Sequence, residues 1–278
     1  MRLTAISWNL FHGRDFPPDP RLRTWRSRLL RISERNATHI QVNRNLEPEF
    51  AAMLAGWDWD VALLQECPPR FAEPLARASG AEGHRVLTSR NSLAPLRRFA
   101  AALNPDLIAS GEGGSNLTLV RAAGPLGAIA ERRGMAIHEG RPERRAMAFV
   151  RTESGICVAN LHATNDIPDL AAEDVRRAAA AATEWAAGAP LLFGGDLNLR
   201  PGESPALFAE LEERFALTGS TAPDAIDHLL VSGLEQVEPP VRWPGQRREV
   251  ECGGLALRLS DHAPVQSRLE RPDDRVVR

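Results

Sequence analysis

The sequence predicts a single domain of mixed α-helices and β-strands that spans residues 1–278. Short apolar runs bounded by glycine, proline or polar residues recur along the chain, which is typical of buried strands. An alanine-rich stretch, residues 169–187, carries acids early and is followed by Gly188, which predicts a long helix. No linker is long enough to divide the chain in two, so one domain is expected.

The composition is that of an ordinary globular protein, with 43% hydrophobic and 25% charged residues. A net charge of −2 gives no overall basic field that would argue for nucleic acid. Cys67, Cys157 and Cys252 are too far apart for a metal motif or a disulfide framework, so we expect a reducing compartment, the cytoplasm. No apolar run reaches the length of a membrane span, and we expect a monomer.

The first half of the chain is expected to alternate between strands and helices. Strands are recognised by apolar runs that end at polar residues, and helices by apolar residues three or four apart. We predict strands at residues 3–8, 61–64, 85–88 and 116–120, helices at 47–55, 71–78 and 93–103, a short strand within 37–43, and loops at 10–20 and 111–114.

An arginine-rich stretch, residues 21–35, has two interpretations. Its apolar residues step by three or four, which predicts a helix; they are Leu22, Trp25, Leu29 and Ile32. We favour a solvated helix whose arginine stems lie along the surface. The alternative is a basic edge that meets phosphate groups.

The second half is expected to hold a hairpin, two helices and further strands. The segment Glu153-Ser154-Gly155 joins two apolar runs, which is a hairpin signal. We predict strands at 146–151, 156–161, 190–195, 225–231 and 263–269, helices at 169–187 and 204–215, a surface loop at 238–254 and a frayed tail at 271–278.

The strand predicted at 190–195 ends in two glycines and is followed by Asp196 and Asn198. Residues two apart on an extended chain point to the same side, so a carboxylate and a carboxamide emerge together. Such a pair suits the binding of a metal-held water or a phosphate. Taken alone, the stretch is equally consistent with a Gly-Asp turn after a core strand.

Other polar residues also lie at or beside the ends of predicted strands. They are Asn9, Glu66, His162, Asp261 and His262, while Asp227 lies within a strand. Carboxylates grouped with histidines are candidates for metal-assisted hydrolysis. Because no cysteine cluster accompanies them, the oxygen ligands favour a hard ion, Mg²⁺ or Mn²⁺.

Six short motifs occur in the order used by the endonuclease/exonuclease/phosphatase superfamily, the deoxyribonuclease I-like phosphoesterases. They are Trp8-Asn9, Leu64-Gln65-Glu66, Asn160-Leu161-His162, Gly195-Asp196-Leu197-Asn198, Ile226-Asp227-His228 and Ser260-Asp261-His262-Ala263-Pro264-Val265. The chain resembles this superfamily from residue 3 to about residue 269. The resemblance implies an α+β fold, a four-layer αββα sandwich in which two mixed β-sheets pack face to face with helices outside.

The resemblance also implies roles for individual residues. Glu66 would be the main Mg²⁺ ligand with Asn9 and Asp261 close to the metal, and Asp196 would activate the attacking water. Asn198 would hold the phosphate or that water. His162 and His262 would contact phosphate oxygens, and Asp227 would orient His262. We also expect Asn116 and Arg145 to bind substrate.

Several departures from the family pattern narrow the range of enzymes that the chain is expected to resemble. Cys67-Pro68-Pro69 follows Glu66 where exonuclease III-type enzymes place Ser/Thr-Lys, and the chain has no tyrosine. An abasic-site endonuclease is therefore disfavoured. Residues 14–46 resemble an insertion, and Glu112 is a poorly aligned candidate for a carboxylate partner of the first histidine.

The leading hypothesis is a Mg²⁺-dependent phosphodiesterase, a nuclease, that uses in-line attack of an activated water. A phosphatase or a lipid phosphodiesterase of the inositol phosphate or sphingomyelin type is the alternative. Paired arginines such as Arg97-Arg98 and Arg247-Arg248 are compatible with a nucleic-acid backbone but equally with a solvated surface. A non-catalytic binding module on the same fold is disfavoured, because the chain keeps every metal and histidine position.

Overall fold

The computed structural model of the chain describes residues 1–88, 99, 103–106 and 113–272. Its strands are β1 (Arg2–Asn9), β2 (Glu34–Arg35), β3 (Ile40–Gln41), β4 (Val61–Gln65), β5 (Glu82–Leu87), β6 (Ser115–Val120), β7 (Ile129–His138), β8 (Arg145–Thr152), β9 (Cys157–His162), β10 (Leu191–Asp196), β11 (Asp227–Ser232), β12 (Glu235–Gln236), β13 (Val241–Arg242), β14 (Glu249–Cys252), β15 (Leu255–Arg258) and β16 (Val265–Glu270).

The α-helices described are α1 (Trp25–Leu30), α2 (Glu47–Gly56), α3 (Ala72–Ala78), α4 (Pro168–Ala186) and α5 (Pro205–Phe215). Short 3₁₀ turns lie at Phe11–Gly13, Pro20–Leu22 and Gly245–Arg248. Across the described ranges, no helix is both long and apolar enough to span a bilayer.

Two mixed β-sheets form the two inner layers. The first has the strand order β12-β16-β1-β4-β6-β5, with β13 paired to β16, and the second has the order β11-β10-β9-β8-β7. Each sheet contains one parallel pair, β1 with β4 and β9 with β10, while its other neighbours run antiparallel. In both sheets the parallel pair lies away from the edges, so its carboxyl ends are flanked by further strands.

Apolar side chains separate these sheets from each other and from the helices. Fully buried residues of both inner faces, such as Val61, Val158 and Leu192, form the core between the sheets. Helices α2 and α3 cover the first sheet through Phe50 and other core residues, and α4 and α5 cover the second through Leu211. The layers are therefore helix, sheet, sheet, helix, which confirms the predicted α+β sandwich.

A buried polar network joins the two sheets near the ends of their parallel strands. Gln65 Nε2 donates to Asn160 Oδ1 over 2.8 Å, and Asn160 Nδ2 donates to the carbonyls of Leu64 and Leu117. Both side chains are fully buried. Because such groups are costly unless paired, they favour one alignment of the sheets. That alignment fixes the position of the residues that follow them, Glu66 and His162.

The structure corrects several sequence expectations. The arginine-rich stretch forms a 3₁₀ turn and the six-residue helix α1, which ends at Leu30 and is followed by Arg31 with a left-handed φ of 57°. Residues 37–43 contribute only β3, which pairs with β2 outside both large sheets. The surface loop expected at 238–254 is wrong, since this range contains β13 and β14, and β14 forms a hairpin with β15 beyond it.

Strand β7 was not predicted, because its exposed edge position permits charged residues at Glu131, Arg132 and Arg133. The helix expected at 93–103 and the loop at 111–114 lie largely outside the described residues, as do Glu112 and most of the expected tail.

Asp15 joins the two ends of the segment that contains α1 and β3, residues 14–46. Its Oδ2 accepts a hydrogen bond from the Val42 amide over 3.0 Å, and the residue is 5% exposed. Burial, reinforced by the charge of Asp106, raises the pKa of Asp15 to about 8. Asp15 is therefore protonated in the native state at neutral pH.

Replacing Asp15 with asparagine is expected to reduce the loss of stability with rising pH. Because the folded pKa exceeds the unfolded value of 3.8, the contribution of Asp15 is fully present below pH 3.8 and is lost as pH rises towards 8. Between pH 5 and 7 the wild-type free energy of unfolding should fall relative to the variant by up to about 1.4 kcal/mol per pH unit. The free energy of unfolding is measured by urea denaturation at each pH. The same pH dependence in the wild type and in Asp15→Asn would contradict the prediction.

Candidate active site

The ends of four central strands bring the site residues to one rim of the sandwich. Asn9 ends β1, Glu66 follows β4, His162 ends β9 and Asp196 ends β10. Parallel neighbours end at the same edge of a sheet, and the two sheets are packed face to face. Asp227 begins the antiparallel strand β11, and the register places it directly opposite Asp196.

Two glycines allow the close packing that positions Asp196. A Cβ at Gly194 would lie 2.2 Å from the His228 carbonyl oxygen, and one at Gly195 would lie 1.9 Å from that of Leu161. Gly195 also has a φ of 128°, which a side chain would strain. The run of two glycines before Asp196 is therefore required by the approach of β9 and β11 on either side.

Asp227, His262 and Asp196 form a tight cluster. His262 Nδ1 lies 2.9 Å from Asp227 Oδ2, and its Nε2 lies 3.7 Å from Asp196 Oδ2. Although burial opposes it, the carboxylates of Asp227 and Asp196 raise the pKa of His262 well above its usual value. His262 is therefore an imidazolium at neutral pH, donating from Nδ1 and presenting a second proton on Nε2.

His162 has the opposite protonation state. Burial, followed by the charges of Arg145 and His262, lowers the pKa of His162 well below its usual value. Its Nδ1 lies 3.3 Å from an Arg145 guanidinium nitrogen, which can only donate, so the ring proton is on Nε2. That nitrogen lies 3.5 Å from Asp196 Oδ2. His162 is thus a neutral donor towards the same carboxylate.

Asn9 and Glu66 complete this side of the cluster. Asn9 Nδ2 donates to Asp196 Oδ2 over 2.9 Å, while its Oδ1 accepts from the Phe11 amide. Glu66 has a left-handed φ of 47°, and its carboxylate lies 3.2 Å from His12 Nε2 and 4.0 Å from His162 Nδ1. The strained turn directs Glu66 back towards the strand ends.

The remaining predicted residues differ in how far they reach the site. Asn198, also at positive φ, is half-buried; its amide donates to Asp196 Oδ1 over 3.2 Å and its side chain to the Ala163 carbonyl. Asn116 is fully buried and donates to the Ala146 carbonyl, a contact between the two sheets. Arg145 is 6% exposed and contacts His162. Arg145 thus contacts the cluster through His162, whereas the contact of Asn116 is with the backbone of the second sheet.

Sequence reasoning missed His12 at the site, and it named Arg248 only as one of a pair of arginines compatible with a nucleic-acid backbone. His12 reaches Glu66 from the turn after β1, three positions beyond Asn9. Arg248 is buried and one of its guanidinium nitrogens donates to the carbonyls of Ser260 and His262, each over 2.7 Å. It thereby holds the loop that carries Asp261 and His262. The nearness of His12 to Asn9 was a usable signal, whereas nothing local marked Arg248 among the surrounding arginines.

His228, in contrast, is a core histidine. Its Nε2 lies close to the carbonyls of Leu199 and Ala225, and its Nδ1 accepts from the Thr221 amide. Burial lowers the pKa of His228, so the ring is neutral and satisfied by backbone groups.

The carboxylates at the rim carry unfavourable charge on their own. Burial raises the pKa of Asp196 to about 7, and the pKa of Asp261 is raised for the same reason with Glu66 adding to both shifts. Within the described part of the chain, Asp227 Oδ1 and Asp261 Oδ1 are buried without a hydrogen-bond partner. Ligand atoms of Asp196, Asp227 and His262 lie within 4.8 Å of one another. His262, as an imidazolium, cannot ligate a metal, but a divalent cation would neutralise the carboxylate oxygens at this rim, which fit a hard metal ion.

Glu66→Gln is expected to weaken activation by Mg²⁺ without destabilising the metal-free fold. The substitution removes a charge that repels Asp196 and Asp261, so the melting temperature in EDTA should be kept or raised. The Mg²⁺ concentration for half-maximal hydrolysis should rise about 10–100-fold. The exposed Glu173→Gln on α4 is the charge-matched control. A large drop in the EDTA melting temperature would instead make Glu66 a structural residue.

A cavity of 380 Å³ adjoins the cluster on the side of His262. Its ionisable wall residues are Arg200, Arg242, Arg248, Asp224, Asp227, Asp261 and His262. Arg242 is paired with Asp224 over 3.0 Å, and Arg200 with Glu203 over 3.3 Å. The cavity therefore places two exposed arginines, each paired with a carboxylate, near the imidazolium of His262.

Comparisons with known proteins agree on one family. Residues 6–262 match the family described as Endonuclease/Exonuclease/phosphatase family. No curated protein matches the sequence. The structure resembles an endonuclease/exonuclease/phosphatase from Beutenbergia cavernae DSM 12333 with a TM-score of 0.63 at 16% identity, covering 97% of this chain and 72% of that one.

Two further solved structures have the same fold and different descriptions. Bacteroides thetaiotaomicron mannosyl-6-phosphatase Bt3783 has a TM-score of 0.61 at 17% identity, covering 96% of this chain and 99% of its own. D. rerio TDP2 complexed with single strand DNA product has a TM-score of 0.55 at 14% identity, covering 97% and 99%. At these identities the similarity establishes the fold.

Proposed function

Because the chain belongs to the endonuclease/exonuclease/phosphatase family, we propose that it is a Mg²⁺-dependent hydrolase that cleaves phosphodiesters of nucleic acid. The observation that carries this proposal is the pair of oppositely protonated histidines on either side of Asp196. A buried carboxylate between a neutral donor and an imidazolium suits proton transfer at a phosphate. Mn²⁺ is an acceptable substitute for Mg²⁺ at oxygen ligands.

Glu66, Asp261 and Asn9 would hold the ion. When bound, it would supply positive charge that neutralises the phosphate and stabilises the charge that develops during the reaction. With these three residues as ligands, Asp227 keeps its hydrogen bond with His262, and Asp196 keeps its hydrogen bond with Asn9. The unpartnered Oδ1 of Asp261 supports it.

The protein side chains would move the protons. Asp196 would accept a proton from the attacking water as the water oxygen bonds to phosphorus. His262 would donate its Nε2 proton to the ester oxygen as the opposite P–O bond breaks, so no covalent enzyme intermediate forms. His162 would donate a hydrogen bond to a phosphate oxygen or to Asp196, and Asn198 would orient the water or the phosphate.

The choice of substrate rests on indirect support. The D. rerio TDP2 structure contains a single-strand DNA product, and Arg200, Arg242 and Arg248 at the 380 Å³ cavity are side chains of the type that contact phosphates. The similarity to a mannosyl-6-phosphatase favours a phosphatase as the second candidate. A lipid phosphodiesterase of the sphingomyelin type remains the third member of the set proposed from sequence.

A substrate panel tests the proposal. We expect single-stranded DNA or RNA to be cleaved in the presence of Mg²⁺ at a higher kcat/KM than inositol phosphates, sugar phosphates or sphingomyelin. A sugar phosphate as the best substrate would replace the nuclease with the phosphatase. If neither the substrates of the panel nor bis-p-nitrophenyl phosphate is hydrolysed with Mg²⁺ or Mn²⁺, the result would support a non-catalytic binding module instead.

A further inference from the structure

A second cavity, of 230 Å³, lies beside the turn that follows β1. We name it the phenylalanine pocket after two of its walls. The residues that define it here are Phe11, Arg14, Asp15, Phe16, Arg23 and Gln41. All of them except Phe11 belong to residues 14–46, the segment that contains α1 and β3 and lies outside both large sheets. The volume is below that of a typical ligand site, so it suits one ring system and not a whole ligand.

Flat groups already stack on one another in this pocket. Phe11 and Phe16 meet edge to face with ring centroids 5.6 Å apart. The guanidinium of Arg14 lies 3.7 Å from the centroid of Phe11, and that of Arg23 lies 4.2 Å from the centroid of Phe16. Since Arg23 is exposed, its guanidinium is free to cover the outer face of a ring that stacks on Phe16. Aromatic and guanidinium planes of this kind bind the faces of nucleobases.

The inner wall offers polar atoms that lack partners. Asp15 Oδ1 and Gln41 Oε1 are buried and meet no hydrogen-bond partner of good geometry among the residues described, although the Gln41 side chain lies close enough to Asp15 to oppose part of the rise in its pKa. The two residues are 5% and 4% exposed. The other atoms of both side chains are engaged, since Asp15 Oδ2 accepts from Val42 and Gln41 Nε2 donates to Val42 and Asp106. A buried group without a partner is costly, which favours a ligand that supplies one.

The protonation of Asp15 defines what that ligand would present. Its pKa is raised to about 8 by burial, so at pH 7 the carboxyl can donate while Gln41 Oε1 can only accept. A ring with an acceptor and a donor on one edge satisfies both. Every nucleobase carries such a pair on its Watson–Crick edge.

The pocket is connected to the site by a short stretch of backbone. The Phe11 amide donates to Asn9 Oδ1, and the next residue, His12, contacts Glu66. Arg14 is close enough to Glu66 and Asp261 for their charges to act on it. A group bound in the pocket therefore lies beside a phosphate at the cluster.

From these contacts we propose that the phenylalanine pocket binds a nucleobase of the substrate next to the scissile phosphate. The inference rests on the proposed function and narrows it to nucleotide esters. Stacking on Phe16 provides affinity without choosing a base. The polar edge of Asp15 and Gln41 fixes the orientation of the ring.

Calorimetric titration of the full chain with two ligands tests the pocket. In the presence of Mg²⁺ at pH 7, adenosine 5′-monophosphate should bind at least about fivefold more tightly than ribose 5-phosphate, which carries the same phosphate without a base. In Phe16→Leu, which keeps an apolar side chain but no ring, the ratio of the two affinities should fall towards one. Arg23→Ala, an exposed position, should reduce the ratio in the same direction.

Trp25→Ala is the matched control, because Trp25 is an exposed aromatic of the same segment outside the pocket. It should retain the wild-type ratio. Equal wild-type affinities for the two ligands, or a ratio unchanged in both Phe16→Leu and Arg23→Ala, would overturn the pocket. Equal affinities would mean that protonated Asp15 is satisfied internally by Gln41.

The two proposals fail in different ways. Bis-p-nitrophenyl phosphate has no base, so its hydrolysis together with equal ligand affinities would reject the pocket and leave the phosphoesterase intact. A fivefold preference for the nucleotide in a chain that hydrolyses none of the panel would support the pocket and reject the catalytic function.

Discussion

Replacing His262 with alanine is expected to lower kcat for bis-p-nitrophenyl phosphate by about 10²–10⁴-fold. The side chain is an imidazolium held between Asp227 and Asp196, so its removal takes away both a proton donor and a positive charge at the phosphate. The measurement is steady-state kinetics at saturating Mg²⁺. A loss of less than about tenfold would show that His262 does not transfer the proton.

The double mutant with Asp227→Asn separates a coupled pair from two independent residues. Asp227 accepts the Nδ1 proton of His262 over 2.9 Å and thereby holds the ring and its charge. Asp227→Asn alone should lower turnover strongly, and Asp227→Asn with His262→Ala should be little worse than His262→Ala. Multiplicative losses would give Asp227 a separate role.

Asp196→Asn is expected to reduce kcat by a similar factor of about 10²–10⁴, because the carboxylate would no longer accept the proton of the attacking water. Burial raises the pKa of Asp196 to about 7. Wild-type kcat/KM should therefore increase with pH on an acid limb, since Asp196 must lose its proton before it can act. Binding of a cation would move this acid limb to lower pH. The pH profile of Asp196→Asn should have no such limb.

The stability of this variant separates a catalytic from a structural role. A carboxylate whose folded pKa is raised stabilises the fold below its unfolded pKa of 3.8, and that contribution is lost as pH rises through about 7. Asparagine has the same shape and no charge, so the metal-free variant should melt at or above the wild-type temperature at pH 8. A strongly lowered melting temperature would mean that Asp196 holds the strand ends together.

The positions of the site residues could be predicted because their signals are local. A short apolar run that ends in a polar residue indicates both a buried strand and the side chain at its end, as for Glu66 and Asp196. In β11 the order is reversed, because the polar residue Asp227 comes before the apolar run of the strand. The parallel neighbours then bring these ends together without any further information from the sequence.

The structure of the segment outside the sheets could not be predicted in this way. Asp15 meets Val42, and Gln41 meets Asp106, across contacts that no periodicity reveals. Strand β7 escaped recognition because an exposed edge strand tolerates charges on both faces. Arg248 acts through the carbonyls of Ser260 and His262, which depend on tertiary packing alone.

Hydrolysis of bis-p-nitrophenyl phosphate by the metal-stripped chain tests the proposed activity most directly. In EDTA we expect no turnover above background, because the carboxylates of Glu66 and Asp261 would repel the phosphate when no cation is present. When Mg²⁺ or Mn²⁺ is added to the same preparation in excess of EDTA, the rate of hydrolysis should return. The Glu66→Gln variant should need a higher metal concentration to regain its activity. Full turnover in EDTA, with metal absent by elemental analysis, would contradict a metal-dependent phosphoesterase.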